Sequence, residues 1–147
     1  MRDKYDGFTL IELMIAMAII GVLIGAALPF YHQYLMKSQV HRAISELAAY
    51  KAPFETQFLS SSTVTNRDLG YVVSDITSGS SAINIGVLNP DGSGRIEVTM
   101  GSNAHSDLSG IILRFERNTT GTWICKIDAS PSGRWRDAYR PQGCSAL

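Results

Sequence analysis

Between Leu13 and Met36 the sequence contains no Asp, Glu, Lys or Arg. A helix of about 24 residues rises about 36 Å, which exceeds the roughly 30 Å hydrocarbon core of a bilayer. The segment therefore predicts a membrane span. An ordinary secretory signal is excluded, because the apolar segment is too long and Pro29-Phe30-Tyr31 is a poor cleavage site. The segment is either an uncleaved anchor or is preceded by the processing site.

The sequence also lacks the usual marks of catalysis and of bulk electrostatic binding. Its formal net charge is zero and no stretch is densely basic, which argues against general attraction to nucleic acid or anionic lipid. His32, His41 and His105 show no metal-ligand spacing. There is no glycine-rich phosphate loop, and no nucleophile and base occur at a spacing typical of a catalytic pair. We therefore expect no enzyme activity, no cofactor and no metal site.

Cysteine is scarce: Cys125 and Cys144 are the only two, and they enclose 18 residues rich in turn formers. In a membrane-targeted chain, two cysteines near the end fit a disulfide formed in an oxidising compartment. Closing this loop would stabilise the fold by on the order of 3 kcal/mol on the chain-entropy model. Two free buried thiols are the alternative.

Helical periodicity continues beyond the apolar segment. One stripe of apolar residues recurs at spacings of three, four or seven: Val40, Ile44, Leu47, Phe54 and Phe58. This pattern predicts a single helix over residues 8–59, apolar all round in its first half and amphipathic in its second. Pro29 and Pro53 lie inside it and should bend it locally. We therefore expect a long curved helix.

The rest of the chain predicts a sheet. Residues 60–94 are rich in Ser, Gly and Asn and predict an irregular connection, with any short strand or turn of helix near 71–73 or 83–85. Three segments rich in β-branched and aromatic residues follow, at 95–100, 110–117 and 122–127. We expect Ile111, Leu113 and Phe115 to share one face of their strand, and Trp123, Cys125 and Ile127 to do likewise, so that the sheet has one apolar face.

The three strand segments predict an antiparallel meander, with the turn of the last hairpin at residues 118–121. Its apolar face needs a cover, and the stripe of the long helix is the available one. The predicted fold class is therefore α+β: a long curved N-terminal helix packed on a C-terminal antiparallel sheet.

One carboxylate, Glu12, interrupts the apolar sequence that begins at Phe8. A charge inside a spanning helix costs roughly 2.5–3.5 kcal/mol and usually marks a functional site. Alternatively, Glu12 lies at the membrane edge in the first turns of the helix, where the helix dipole favours a negative charge. Spacing alone leaves both interpretations open.

Residues 7–15 read Gly-Phe-Thr-Leu-Ile-Glu-Leu-Met-Ile, which resembles the processing and assembly motif of type IV prepilins. The resemblance implies that a prepilin peptidase cuts between Gly7 and Phe8, and that the new amine of Phe8 is methylated. Glu12 then becomes the fifth residue of the mature chain. There the family places an assembly glutamate, thought to pair with the N-terminal amine of a neighbouring subunit.

The resemblance extends to the order of the remaining parts, which follows the type IVa class. It implies a leader at residues 1–7, a transmembrane and assembly helix at 8–36, and a globular head at 37–147. The head would comprise the amphipathic half of the helix, the connection, the sheet and a disulfide loop. The sequences around Cys125 and Cys144 look like the two ends of that loop.

The implied function is a major subunit of a type IV pilus, serving adhesion and twitching motility, with DNA uptake as a further role. Expected partners are other copies in a helical filament, the peptidase and methyltransferase, an assembly platform and its ATPase, and a host surface or DNA. The chain would lie in the bacterial inner membrane before assembly and in the extracellular pilus afterwards. Alternatives are a minor pilin, a type II secretion pseudopilin, or a single-pass membrane-anchored binding protein.

The segment between the cysteines also contains arginines interleaved with aromatic residues: Arg134, Trp135, Arg136, Tyr139 and Arg140. This combination suits stacking and phosphate contact, and hence binding of DNA or a surface glycan. Alternatively, the aromatic rings pack the loop onto the sheet while the arginines stay solvated. We favour packing, because three arginines make a small electrostatic footprint.

Overall fold

The computed structural model describes residues 7–147. The chain divides into two compact units, one that ends at Leu35 and one that comprises Met36–Leu147. The first unit contains most of helix α1, Leu10–Ala48. The second contains the end of α1 and all the remaining elements.

The helix of the first unit is apolar and uncovered. Every large apolar side chain between Phe8 and Tyr34 is more than half exposed, from 52% at Leu28 to 79% at Phe8. The helical region Leu10–Ser60 contains an 18-residue window with a mean hydropathy of 2.5, none of which is buried. By length and composition this helix qualifies to cross a membrane.

The predicted single helix over residues 8–59 is wrong in one detail. Helix α1 continues through Pro29 but ends at Ala48, and helix α2, Lys51–Ser60, follows after a two-residue turn. The break has a physical cause in Pro53, which has no N–H to donate to the carbonyl of Ala49 and whose ring would clash with it. As the third residue of α2, Pro53 needs no donor.

The predicted strands are confirmed within two residues at each end. The structure has β3 at Gly94–Met100, β4 at Ile112–Arg117 and β5 at Trp123–Asp128, each antiparallel to the next. Shorter strands extend the sheet: β1 at Thr77–Ser78, β2 at Gly86–Leu88 and β6 at Cys144–Ala146. Among residues 7–147 the order is β1-β3-β4-β5-β6, with β2 also paired to β3.

The α+β class is confirmed, but the sheet is mixed and the purely antiparallel prediction is corrected. Strand β6 pairs parallel to β5, with Cys125 opposite Cys144. A parallel neighbour needs a crossover of a dozen or more residues, and residues 129–143 supply one.

In the described chain no strand covers 71–73 or 83–85, although β2 begins one residue later, at Gly86. Side chains bind the backbone at both places. The Tyr50 hydroxyl accepts from the Val72 N–H at 3.2 Å. The Asn66 amide donates to the Ile83 carbonyl at 2.6 Å, and its oxygen accepts from the Ile85 N–H at 2.8 Å. Asn66 itself is fixed at the start of a short helix, α3, Asn66–Leu69, by a capping box between Thr65 and Asp68.

The core of the second unit lies between the helical stripe and the inner face of the sheet. Val40, Leu47 and Phe54 are at most 1% exposed, while Ile44 and Phe58 are partly buried. The sheet buries Ile111, Leu113, Phe115, Cys125 and Ile127, and half-buries Trp123. The expected apolar faces are therefore confirmed.

An ion pair between a buried arginine and a partly exposed glutamate joins α2 to the sheet. Arg117, only 7% exposed, ends the inward-facing row of β4. Its Nε and Nη2 donate to the two carboxylate oxygens of Glu55, each at 2.9 Å. Trp123 Nε1 donates to the same carboxylate at 2.7 Å. The hydrogen bond from Arg117 is the main reason that the pKa of Glu55 is lowered from its ordinary value of 4.5.

We expect Glu55→Gln to lower the free energy of unfolding by about 2 kcal/mol. The substitution leaves a buried guanidinium without its counter-charge, which typically costs about 3–5 kcal/mol, and the partial exposure of Glu55 reduces that figure. Urea denaturation of the detergent-solubilised chain, followed by far-UV circular dichroism, measures it. Glu116→Gln, which removes a carboxylate from the solvated face of the sheet, is the control and should cost under about 1 kcal/mol.

The pair of Glu55 and Arg117 predicts that the free energy of unfolding depends on pH. Because folding lowers the pKa of Glu55, its contribution is present above about pH 4.5 and is lost as the pH falls through the lowered value. The stability difference between the wild-type chain and Glu55→Gln should therefore stay constant near neutral pH and shrink in acid. A difference that persists unchanged at pH 2 would contradict this role for the carboxylate.

Candidate functional site

The start of the apolar helix is organised by Thr9 and Glu12. The Thr9 N–H and hydroxyl donate to Glu12 Oε2 at 3.2 and 2.8 Å, and the Glu12 N–H donates to Thr9 Oγ1 at 3.3 Å. This reciprocal arrangement is a capping box, which satisfies two N–H groups that the helix cannot. It sets the first helical residue at Leu10.

The box leaves the Gly7–Phe8 peptide bond outside the helix. Gly7 and Phe8 precede the first helical residue and are both exposed. A Cβ added at Gly7 would meet nothing within 4 Å, so the described chain does not crowd this bond. The remainder of the predicted leader, residues 1–6, lies outside the described residues.

Sequence reasoning treated Glu12 alone and missed Thr9 as its partner. The signal was present, since a threonine followed three residues later by a glutamate just before an apolar segment is the sequence signature of a capping box. The structure therefore favours placing Glu12 in the first turn of the helix. Its carboxylate is partly satisfied by its own chain.

Cys125 and Cys144 form a disulfide, with their Cα atoms 4.5 Å apart. The prediction of a disulfide is confirmed, and the alternative of two free thiols is wrong. The bond joins directly opposed residues of β5 and β6, so it closes the disulfide loop, residues 126–143, against the sheet.

The aromatic residues of the disulfide loop pack inward. Tyr139 is 7% exposed, and Trp135 lies partly buried against the same core. The two rings meet edge to face, with centroids 5.7 Å apart. The Ser132 hydroxyl anchors the loop further by donating to the Asp107 carbonyl at 2.5 Å.

The arginines of the loop differ from one another. Arg134 contacts Asp107 at 3.3 Å, but its side chain is 80% exposed. Arg136 is exposed. Arg140 pairs with Asp137 at 2.7 Å and is only 25% exposed. The structure thus separates two solvated arginines from a third that is held within the loop.

Metal coordination has no candidate in the described chain. Within residues 7–147, no group of three or more His, Cys, Asp or Glu side chains could hold a metal ion.

Two family matches cover almost all of the chain. Residues 2–28 match the prokaryotic N-terminal methylation motif, and residues 36–145 match the pilin family, described as a bacterial filament. A type IV major alpha-pilin of Moraxella bovis is 38% identical, over 97% of this chain and 98% of that protein. The chain belongs to the type IV pilin family.

Further comparisons agree with this membership. Fimbrial protein Q of Moraxella bovis is 37% identical over 97% of this pilin and 98% of its own length. A fimbrial protein of Pseudomonas aeruginosa is 37% identical over 94% and 95%, respectively. A crystal structure of a Cs1 pilin chimera has a TM-score of 0.52 at 20% identity, covering 77% of this pilin and 98% of that chain. This last likeness concerns the fold.

Membership makes this pilin a structural pilus subunit, and the methylation motif implies processing of a precursor and assembly into a filament. The motif ends at residue 28 and the pilin match begins at residue 36. The two matches thus fall on either side of Leu35, where the first compact unit ends.

The loop geometry predicts that Trp135→Ala destabilises the pilin, while Arg134→Ala/Arg136→Ala does not. Truncating the tryptophan removes packing against the core, at a cost of about 2–3 kcal/mol because the ring is only partly buried. The two solvated arginines contribute little to stability. Urea denaturation of each variant measures both effects.

An Arg134→Ala/Arg136→Ala/Arg140→Ala variant tests whether the disulfide loop serves only to pack against the core or also binds a ligand. If the variant assembles normally and matches the wild-type chain in assays of DNA uptake and surface adhesion, the loop serves to pack. Loss of either activity in intact filaments would show instead that the arginines bind an anionic ligand.

Proposed function

We propose that this pilin is made as a precursor, cut between Gly7 and Phe8, methylated at the Phe8 amine, and assembled into a type IV pilus through α1. The observation that carries the proposal is the uncovered apolar part of α1, in which every large apolar side chain from Phe8 to Tyr34 is more than half exposed. The methylation motif over residues 2–28 supports processing at its start.

The apolar helix needs a cover that a single chain does not supply. Each large apolar side chain gains about 1.5–3 kcal/mol on burial. In a bilayer, lipid covers the helix; outside the bilayer, other copies of the same helix can do so. Identical subunits joined head to tail without closing a ring form a filament.

Glu12 gives this packing a specific register. Once helices leave lipid and bundle together, the carboxylate becomes buried and needs a cationic partner. The Phe8 amine of a neighbouring copy exists only after cleavage and is the nearest candidate. Thr9 donates to Glu12 Oε2, which leaves Oε1 to receive the amine. Removing one member of a buried pair typically costs about 3–5 kcal/mol.

The remaining steps follow from the same energetics. Extracting the helix from lipid requires a supply of energy, so we infer an assembly platform with an ATPase as partners. The precursor would reside in the bacterial inner membrane, and the product would be an extracellular pilus. The relative from Moraxella bovis is named a major pilin, and we propose the same abundance for this chain, ahead of a minor pilin or a secretion pseudopilin.

Adhesion, twitching motility and DNA uptake are proposed as activities of the assembled filament. The exposed guanidinium groups of Arg134 and Arg136 are where an anionic surface ligand would be contacted. Packing of Trp135 and Tyr139 against the core gives those two aromatic residues a structural role.

The N-terminus of the mature chain tests the processing step. Mass spectrometry of pili sheared from cells should find a chain that begins with methylated Phe8 and lacks residues 1–7. Cells without the peptidase should retain the precursor in the membrane and serve as the control. An intact Met1 on chains within assembled pili would refute cleavage.

Glu12→Ala tests the assembly step. The variant should still insert into the membrane and lose its leader, but sheared pili should decrease at least about tenfold, because the neighbouring amine has no carboxylate to meet. Glu12→Asp keeps the charge and is the matched variant, with an intermediate yield. Quantitative immunoblots of sheared and membrane fractions distinguish failed assembly from failed expression, and normal pilus yield from Glu12→Ala would remove the proposed pairing.

A further inference from the structure

The segment between Glu12 and Tyr31 is apolar throughout. Residues 13–30 are 18 in number, and none has a polar side chain. All of them lie in α1, so the segment rises about 27 Å along its axis. This length is close to the roughly 30 Å hydrocarbon core of a bilayer.

The two ends of this segment differ in chemistry. At the start, the carboxylate of Glu12 is tied to Thr9 by the capping box. At the other end stand two tyrosines, Tyr31 and Tyr34, which are 59% and 70% exposed. The first basic residue beyond them is Lys37, so the tyrosines precede any lysine or arginine that could anchor the helix.

Tyr31 and Tyr34 suit the boundary between lipid and water. Residues three apart on a helix are surface neighbours, so Tyr31 and Tyr34 lie on the same face of α1. Each ring offers an apolar body and a hydroxyl tip, the combination that is enriched at the level of the lipid headgroups. The adjacent Phe30 is 72% exposed but has no polar tip.

We propose that Tyr31 and Tyr34 are interfacial anchors that set the depth of the precursor in the bilayer, and that this depth holds the Gly7–Phe8 bond outside the hydrocarbon core on the opposite side. The inference rests on the proposed function, since it concerns the bond that the peptidase cuts. Tyr31 and Tyr34 are positioning residues, acting about one membrane thickness away from that bond.

The depth of the helix matters because Glu12 and the Gly7–Phe8 bond both lie close to the edge of the hydrocarbon core. Phe8 precedes Glu12 by only four residues and lies before the first helical residue, Leu10, whereas a single turn of the helix rises about 5.4 Å. A helix that slides toward the outer side by that distance would carry the Glu12 carboxylate into hydrocarbon and the Gly7–Phe8 bond toward it. Anchors at the far end oppose such sliding.

The test uses the full-length precursor in liposomes of monounsaturated phosphatidylcholines with short, medium or long acyl chains, together with purified prepilin peptidase. Leader removal is timed by mass spectrometry. The wild-type rate should be highest where the hydrocarbon core is about 27–30 Å thick. Tyr31→Leu/Tyr34→Leu should lower that maximum by about fivefold and flatten the dependence on thickness.

Two variants serve as controls for the ring chemistry. Tyr31→Trp/Tyr34→Trp should restore the rate and its optimum, because tryptophan also prefers the interface. Phe30→Leu should behave as the wild type. Circular dichroism of each variant in the liposomes checks that the helical content is unchanged.

A depth measurement separates this inference from the processing step. A nitroxide attached to Ile20→Cys, with the native disulfide intact, reports its depth through its accessibility to oxygen and to a polar nickel chelate. The label should shift by several ångströms in the double leucine variant. If the label depth is unchanged in the double leucine variant, or if that variant is cleaved at the wild-type rate at every thickness, the anchor role is overturned. If the wild-type precursor is not cut at all, the processing step is overturned, and the depth measurement still tests the anchor role.

Discussion

The described chain leaves the apolar first part of α1 uncovered, so this surface has to be shielded from water by lipid or by other molecules. Between Phe8 and Tyr34 every large apolar side chain is more than half exposed. Such a surface persists only in lipid or against other apolar surfaces. The local structure at its start limits the cost of the single carboxylate, because Thr9 supplies two hydrogen bonds to Glu12. Lipid and other apolar helices are the two kinds of surface that would cover it.

The second unit is self-sufficient by comparison. Its core closes between the helical stripe and the sheet, and Arg117 joins the sheet to α2 through Glu55. The outer face of the same sheet carries charges of alternating sign in contact across the strands, such as Arg114 with Glu97 at 2.7 Å and Lys126 with Glu116 at 2.6 Å. One face is therefore dry and the other is suited to water.

Much of this architecture was predictable because it depends on periodicity. The helical stripe and the three long strands each follow a repeat that the sequence shows directly, and the apolar span is a long segment without charge. The short elements depend on single side chains. Asn66 binds the backbone at Ile83 and Ile85, and Tyr50 binds it at Val72. These contacts join residues that are distant in sequence, so no local sequence pattern predicts them.

The sequence by itself determined the class of the protein: a membrane-length apolar helix, a lone acid at its start, two cysteines and a sheet-forming C-terminal half. These features reside in composition and spacing, which exist before folding. Only the tertiary structure decided that Arg117 is a buried partner of Glu55, that β6 runs parallel to β5, and that Trp135 and Tyr139 pack inward while Arg134 stays in water. Each of these outcomes depends on which surfaces meet, and that is fixed only when the chain has closed around its core.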